Sequence, residues 1–197
     1  MRPRSLPRAA LAACALTIPF AAATQAHAGV LKKRMHVRVG DRAKVVGSAE
    51  YGVATLQVRR RGLWRTIARD RTTTSGRYVL RDRVRRPMSL FARVSVNGVA
   101  HRIGRLNGYR AARASWYGPG LYGNHLGCGG TLKPGTVGVA NRTLPCGSKL
   151  TLRHRGRSIR VRVIDRGPYV AGREFDLTEA TAKRLRFRGT GTVLTTK

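Results

Sequence analysis

Acidic residues are scarce. Eight Asp and Glu stand against forty Lys and Arg in 197 residues, giving a formal charge of +32. The pI is near 11.9. This balance excludes an acidic surface and predicts attraction to polyanions. The arginines are spread along the whole chain, however, as on a solvated surface, so charge alone points to no specific nucleic acid. Cysteine is nearly absent as well, with only Cys14, Cys128 and Cys146. Two of these lie in the body of the chain, too few for a metal site, and neither a metal nor a cofactor is expected. Long apolar runs are also missing. Beyond Ala9–Ala23, no stretch approaches the roughly 18 residues of a membrane span, so no transmembrane segment is expected. A hydrophobic content of 42% still excludes a disordered chain.

The first 28 residues read as a secretory leader. Arg2, Arg4 and Arg8 are basic, Ala9–Ala23 is apolar, and Ala26-His27-Ala28 is a small-x-small cleavage site. Cleavage after Ala28 predicts a protein acting outside the cytoplasmic membrane, in the cell wall or on the periplasmic side. Lipoprotein processing at Cys14 is the competing reading, and it leaves almost no apolar run before the cysteine. Export leaves Cys128 and Cys146 as an even pair in an oxidising compartment, which reads as one disulfide.

From Met35 to about Gly104, short runs rich in β-formers recur: "AKVVG", "VATLQVRR", "LWRTIAR", "RYVLRD" and "SLFARVSV" among them. Turn pairs such as Asn97-Gly98 separate them. Apolar alternation through Trp64, Ile67, Tyr78 and Leu80 fits strands with one buried face. The expectation is a seven-stranded, immunoglobulin-like β-sandwich over 30–108. Its acids, Asp41, Glu50, Asp70 and Asp82, are isolated and form no catalytic cluster.

"RLNGYRAAR", residues 105–113, has turn chemistry and little apolar pattern, so the domain boundary is expected there. The stretch after it is dense in glycine. Then "LTLRH" and "SIRVRVID" read as strands joined by Arg155-Gly156, Thr178 can cap a short helix, and "TVLTT" closes as a strand. An all-β chain with one short helix and a barrel over 112–197 is expected.

"ASWYGPG", "TLPCGS" and "VRVIDRGPYVAGREFDLTEATAKRL", in that order, resemble the double-psi β-barrel of the rare lipoprotein A (RlpA) family, the septal-ring lytic transglycosylases. The barrel is also similar to that of expansins, which loosen polysaccharide walls without cutting them. The resemblance implies a six-stranded barrel that binds peptidoglycan glycan strands and cleaves them to a 1,6-anhydro product. There the C6 hydroxyl of the substrate's own N-acetylmuramic acid attacks C1, so one enzyme group can move the proton in both directions.

Asp165 is the candidate for that group, at the end of an apolar strand and flanked by Arg162 and Arg166, whose charges oppose protonation. Asp176 is the second candidate, just ahead of the helix, while Glu174 and Glu179 are expected to face solvent. Trp116, Tyr117 and Tyr169 offer stacking faces for sugar rings, and Asn141 and Arg166 offer polar contacts. The chain departs from the family at two positions. Gly130 stands where the family has the Glu of "NGE", and Asn141 where it has a His before "TLP". Hence the alternative, a non-catalytic, expansin-like wall-binding module. Partners are peptidoglycan or another wall polysaccharide and anionic wall polymers, met by a monomer.

Overall fold

The structure, a computed structural model, describes residues 29–197; the leader and its cleavage position lie outside the described residues. Among the described residues there are thirteen strands and one helix.

Two sheets enclose the first core. One orders β1 (Gly29–Arg34), β3 (Arg42–Ser48) and β6 (Arg77–Arg83). The other runs β5 (Leu63–Arg71), β4 (Val53–Arg60), β7 (Met88–Val96) and β8 (Val99–Tyr117), with β2 (His36–Arg38) on the far side of β8. The pleat explains the selection of side chains. Alternate residues Ala54, Leu56 and Val58 of β4, and Tyr78 and Leu80 of β6, are fully buried in one cluster with Val45 and Leu106. Eight strand segments therefore serve this core where seven were expected, the addition being β1. Trp64 is half-buried with the Arg93 guanidinium 4.3 Å from its ring centroid.

Residues 105–113 are not a turn. They form the middle of β8, with Leu106, Asn107 and Tyr109 buried. The Asn107-Gly108 pair resembles a turn dipeptide, yet its glycine serves close packing. A Cβ at Gly108 would sit 2.4 Å from Val84 Cγ1 and 2.9 Å from the Arg86 carbonyl. Cross-strand pairing thus overrides local propensity: β7 and β2 hold β8 up to Tyr109, and new partners take it from Arg110 onward.

Those partners build the second core. β8 continues into a ring with β12 (Phe175–Thr178), β9 (Val139–Ala140), β11 (Arg157–Asp165), β10 (Lys149–His154) and β13 (Gly191–Thr195), which pairs back to β8. The six strands close on themselves, so the barrel has no free edge. Leu150, Leu152, Val163, Phe175 and Leu177 fill it. The β10–β11 hairpin turns at Arg155 (φ 43°) and Gly156 (φ 84°), the two positive φ angles that a two-residue turn of matching twist needs. Helix α1 (Glu179–Leu185) starts at Thr178, whose side chain accepts from the Thr181 amide, and it buries Thr181, Ala182 and Leu185 against the barrel.

Candidate active site

The pairing registers bring four residues into one row. Asp165 at the end of β11 lies opposite Ala140 of β9; Ala140 lies opposite Asp176 of β12; Asp176 lies opposite Ser115 of β8. Directly paired residues project from the same face, and two strand spacings separate the Asp backbones by ~10 Å. Ala140, the residue between the two acids in the row, is small and buried.

Each acid is held differently. Asp165 Oδ1 accepts from the Gly127 amide at 2.7 Å and the Arg166 amide at 2.8 Å. Asp176 Oδ1 accepts from Ser115 Oγ at 2.7 Å, and Arg173 donates to the same hydroxyl at 3.3 Å. Burial raises the Asp176 pKa; the Ser115 hydrogen bond and the Arg173 charge work against that rise, and the Asp165 charge adds to it. Tyr117, two residues along β8 from Ser115, turns its hydroxyl toward both acids. That hydroxyl is buried without a well-formed hydrogen-bond partner among the described residues. Burial first, then the Asp165 charge and a loose hydrogen bond toward Asp165, and last the Asp176 charge, push its pKa well above the usual phenol range.

The loops around the row are tied to the end of β11. Cys128 and Cys146 are bonded, with Cα atoms 5.5 Å apart. The Cys128 amide donates to the Ile164 carbonyl and the Gly147 amide to the Val163 carbonyl. Arg166 adds a third tie: its guanidinium donates to the carbonyls of Asn141 (3.0 Å) and Leu144 (2.7 Å) and contacts Cys146 Sγ. It points along the loop, and Asp165 forms no ion pair among the described residues. The expected opposition from flanking arginines is therefore not realised as contact.

Several residues differ from expectation. Asn141 is 4% exposed, its Oδ1 accepting from the Thr143 and Leu144 amides and its Nδ2 donating to the Glu174 carbonyl. Its amide is committed to shaping the loop and is not free for a sugar. Strand alternation puts Trp116, 36% exposed, on the face of Ala114 and Leu177, opposite the row. Tyr169 stands 79% exposed in the loop after β11. Asp176 lies within β12 and does not cap α1, a task that falls to Thr178. Glu174 and Glu179 do not face solvent unengaged: Glu174 forms a two-point ion pair with Arg110, and Glu179 accepts from Tyr122 and pairs with Lys183 at 2.9 Å. Gly130 has φ 82°, a left-handed conformation that a Glu would adopt only under strain, so the departure at this position is conformational as well as chemical. Ser115 and Arg173 were not anticipated. Ser115 alternates with Tyr117 within "ASWYG", a signal visible only to a reader who already knew which face the acids share.

Residues 109–195 match the family described as lytic transglycolase. A Synechocystis sp. protein named "Probable endolytic peptidoglycan transglycosylase RlpA" is 37% identical over 102 residues, 51% of this chain and 31% of that protein. The Yersinia pestis "Endolytic peptidoglycan transglycosylase RlpA" is 42% identical over 94 residues, 46% of this chain and 26% of its own length. The chain thus spans a third or less of each of these relatives. The solved Streptomyces papain inhibitor covers 45% of this chain and 94% of its own at TM-score 0.35 and 22% identity, too loose a likeness to argue from. The match over 109–195, the closed six-stranded ring and the RlpA relatives agree: residues 109–195 form an RlpA-like double-psi β-barrel, similar over that stretch to the lytic transglycolase family.

Proposed function

We propose that the barrel binds peptidoglycan glycan strands and cleaves them as a lytic transglycosylase, with release of a 1,6-anhydro end. The observation that carries this reading is the row of Asp165, Ala140 and Asp176 with the Tyr117 hydroxyl turned toward the acids. The reaction needs a proton delivered to the leaving glycosidic oxygen and one removed from the attacking C6 hydroxyl. One carboxyl can do both in turn, with no net proton change. Asp165 takes that role: its Oδ1 is anchored by two backbone amides, which leaves Oδ2 for the substrate. Tyr117 is a positioning residue that orients this carboxyl. Burial raises the Asp176 pKa and so disfavours a second negative charge on the row, against the Ser115 hydrogen bond and the Arg173 charge. Exposed Tyr169 offers a stacking face.

The limits proposed are a leader over 1–28, removed after Ala28, an immunoglobulin-like sandwich over 30–108 and the barrel over 112–197. The protein acts as a monomer in the cell wall or on the periplasmic side. One observation favours the second reading, an expansin-like module that binds without cutting. Neither Gly130 nor the hydrogen-bonded Asn141 amide can move a proton. Incubating sacculi with the full-length protein and analysing the products by mass spectrometry decides between them. Anhydro-muropeptides establish cleavage; binding without them establishes the expansin-like module.

A further inference from the structure

A wide cleft among the described residues lies away from the carboxylate row. It is a cleft of about 1140 Å³ between the β4–β5 hairpin and β6–β7 connection on one side and β10, β11 and the last residues of the barrel on the other. Arg60, Arg61, Arg65, Arg86, Lys149, Arg160 and Lys197 line it, and no carboxylate side chain does. None of the seven side chains forms an ion pair among the described residues. One acid interacts with the lining: burial raises the pKa of Asp82, and the charges of Arg85 and Arg60 work against that rise. The cations are also crowded. Ser89 accepts from Arg160 through its hydroxyl at 3.0 Å and from Arg105 through its carbonyl at 3.1 Å. Partial burial, with the neighbouring Arg105 and Arg162 charges, lowers the pKa of Arg160. So many like charges about one concavity raise the local potential and favour a multivalent anion over single counterions.

The lining narrows the chemistry. Five of the seven cations are arginines, whose planar fork matches the oxygens of a phosphate. The apolar part is aliphatic, from Leu63, Pro87, Met88 and Leu90, and no aromatic ring lines the cleft. A single-stranded nucleic acid is held by bases stacked on such rings, and here it would find none. A polymer of phosphate and alcohol units needs none.

We propose that this cleft is a binding site for a linear polyanion of repeating alcohol-phosphate units, lying across the junction of the two cores. The site stands apart from the row, and the proposal does not rest on glycan cleavage. Its test is a binding titration of the full-length protein with poly(glycerol phosphate), and with poly-γ-glutamate and oligo-dT of equal charge, over a range of salt. The cleft variant is Arg65→Gln/Arg86→Gln/Arg160→Gln. The charge-matched control is Arg42→Gln/Arg69→Gln/Arg81→Gln, three exposed arginines outside the cleft. The cleft variant should bind poly(glycerol phosphate) about 10-fold or more weakly and lose about 2 from the slope of log K against log salt, while the control loses about twofold or less. Equal losses in both variants would mean a diffuse field and overturn the proposal. So would oligo-dT or polyglutamate binding as tightly as the phosphate polymer. Melting temperatures certify the fold of each variant, and if the triple variant does not fold, Arg86→Gln/Lys149→Gln carries the same comparison. Sacculus digestion is measured alongside and should be unchanged in the cleft variant, so failure of either reading is separately visible.

Discussion

Each half of the molecule holds four of the eight acids, yet they are used differently. In the two-sheet half each works singly: Asp41 pairs with Arg34, and Asp70 accepts the Val79 amide at 2.7 Å. In the barrel half two acids share a row on either side of Ala140, with a buried phenol hydroxyl turned toward them. Where carboxylates are rare, their arrangement says more than their number. A lone acid bonded to backbone is a fastener; two acids on one face, with a phenol hydroxyl turned toward them, are the arrangement on which the proposed proton transfer rests.

The sharpest way to break this contrast is to neutralise one acid from each half. Asp165→Asn should lower anhydro-product formation about 10²- to 10⁴-fold and leave sacculus binding nearly intact. Asp70→Asn should leave product formation unchanged and lower the melting temperature, because a backbone amide loses its charged acceptor. Equal loss of activity in both would erase the distinction. Next in size is the disulfide, which belongs to the barrel alone. Reduction should lower barrel stability by about 3 kcal/mol in the chain-entropy model, read from urea unfolding with and without reductant. The Trp64 signal of the two-sheet half reports whether the loss stays local.

Tyr117→Phe separates function from stability. An unpaired buried hydroxyl contributes desolvation cost and little bonding, so its removal should leave stability unchanged or raise it by about 1 kcal/mol. Activity should fall about 10-fold if the phenol orients Asp165. A drop in both would make it an ordinary core residue. The smallest effect concerns Asp176. Its folded pKa is raised, so the folded state binds the extra proton and stability falls as pH rises from the unfolded to the folded pKa. Asp176→Asn removes that loss. Its melting temperature should therefore gain on wild type between pH 4 and neutrality, and a constant difference across that range would contradict the burial argument.

Much of this was legible in the sequence. β-rich runs gave the strands of the first core except β1, and β10, β11 and β13 of the second, while β9, β12 and the middle of β8 were missed. The Arg155-Gly156 pair gave a hairpin, Thr178 the helix start, and the ordered motifs the barrel. What stayed hidden depends on pairing between distant segments. The Asp165–Ala140–Asp176 row needs a parallel and an antiparallel register at once, and nothing local fixes either. Asn107-Gly108 carried a turn signal that packing against Val84 overrode. Asn141 and Arg166 looked available because their partners are backbone atoms, which a residue pattern does not show.

Strand β8 has one more consequence. Its 19 residues run from one core into the other without a break in the strand, over about 60 Å if fully extended. A tether would let the two halves search independently; a shared strand works as a ruler. A polymer seated beside β7 and β10 would stand at a set distance from the Asp165 row, so anchorage could determine where along a neighbouring strand a cut falls. Tension on that polymer would load β8 in shear, across many hydrogen bonds at once, and it would reach the barrel before any loop had taken up slack.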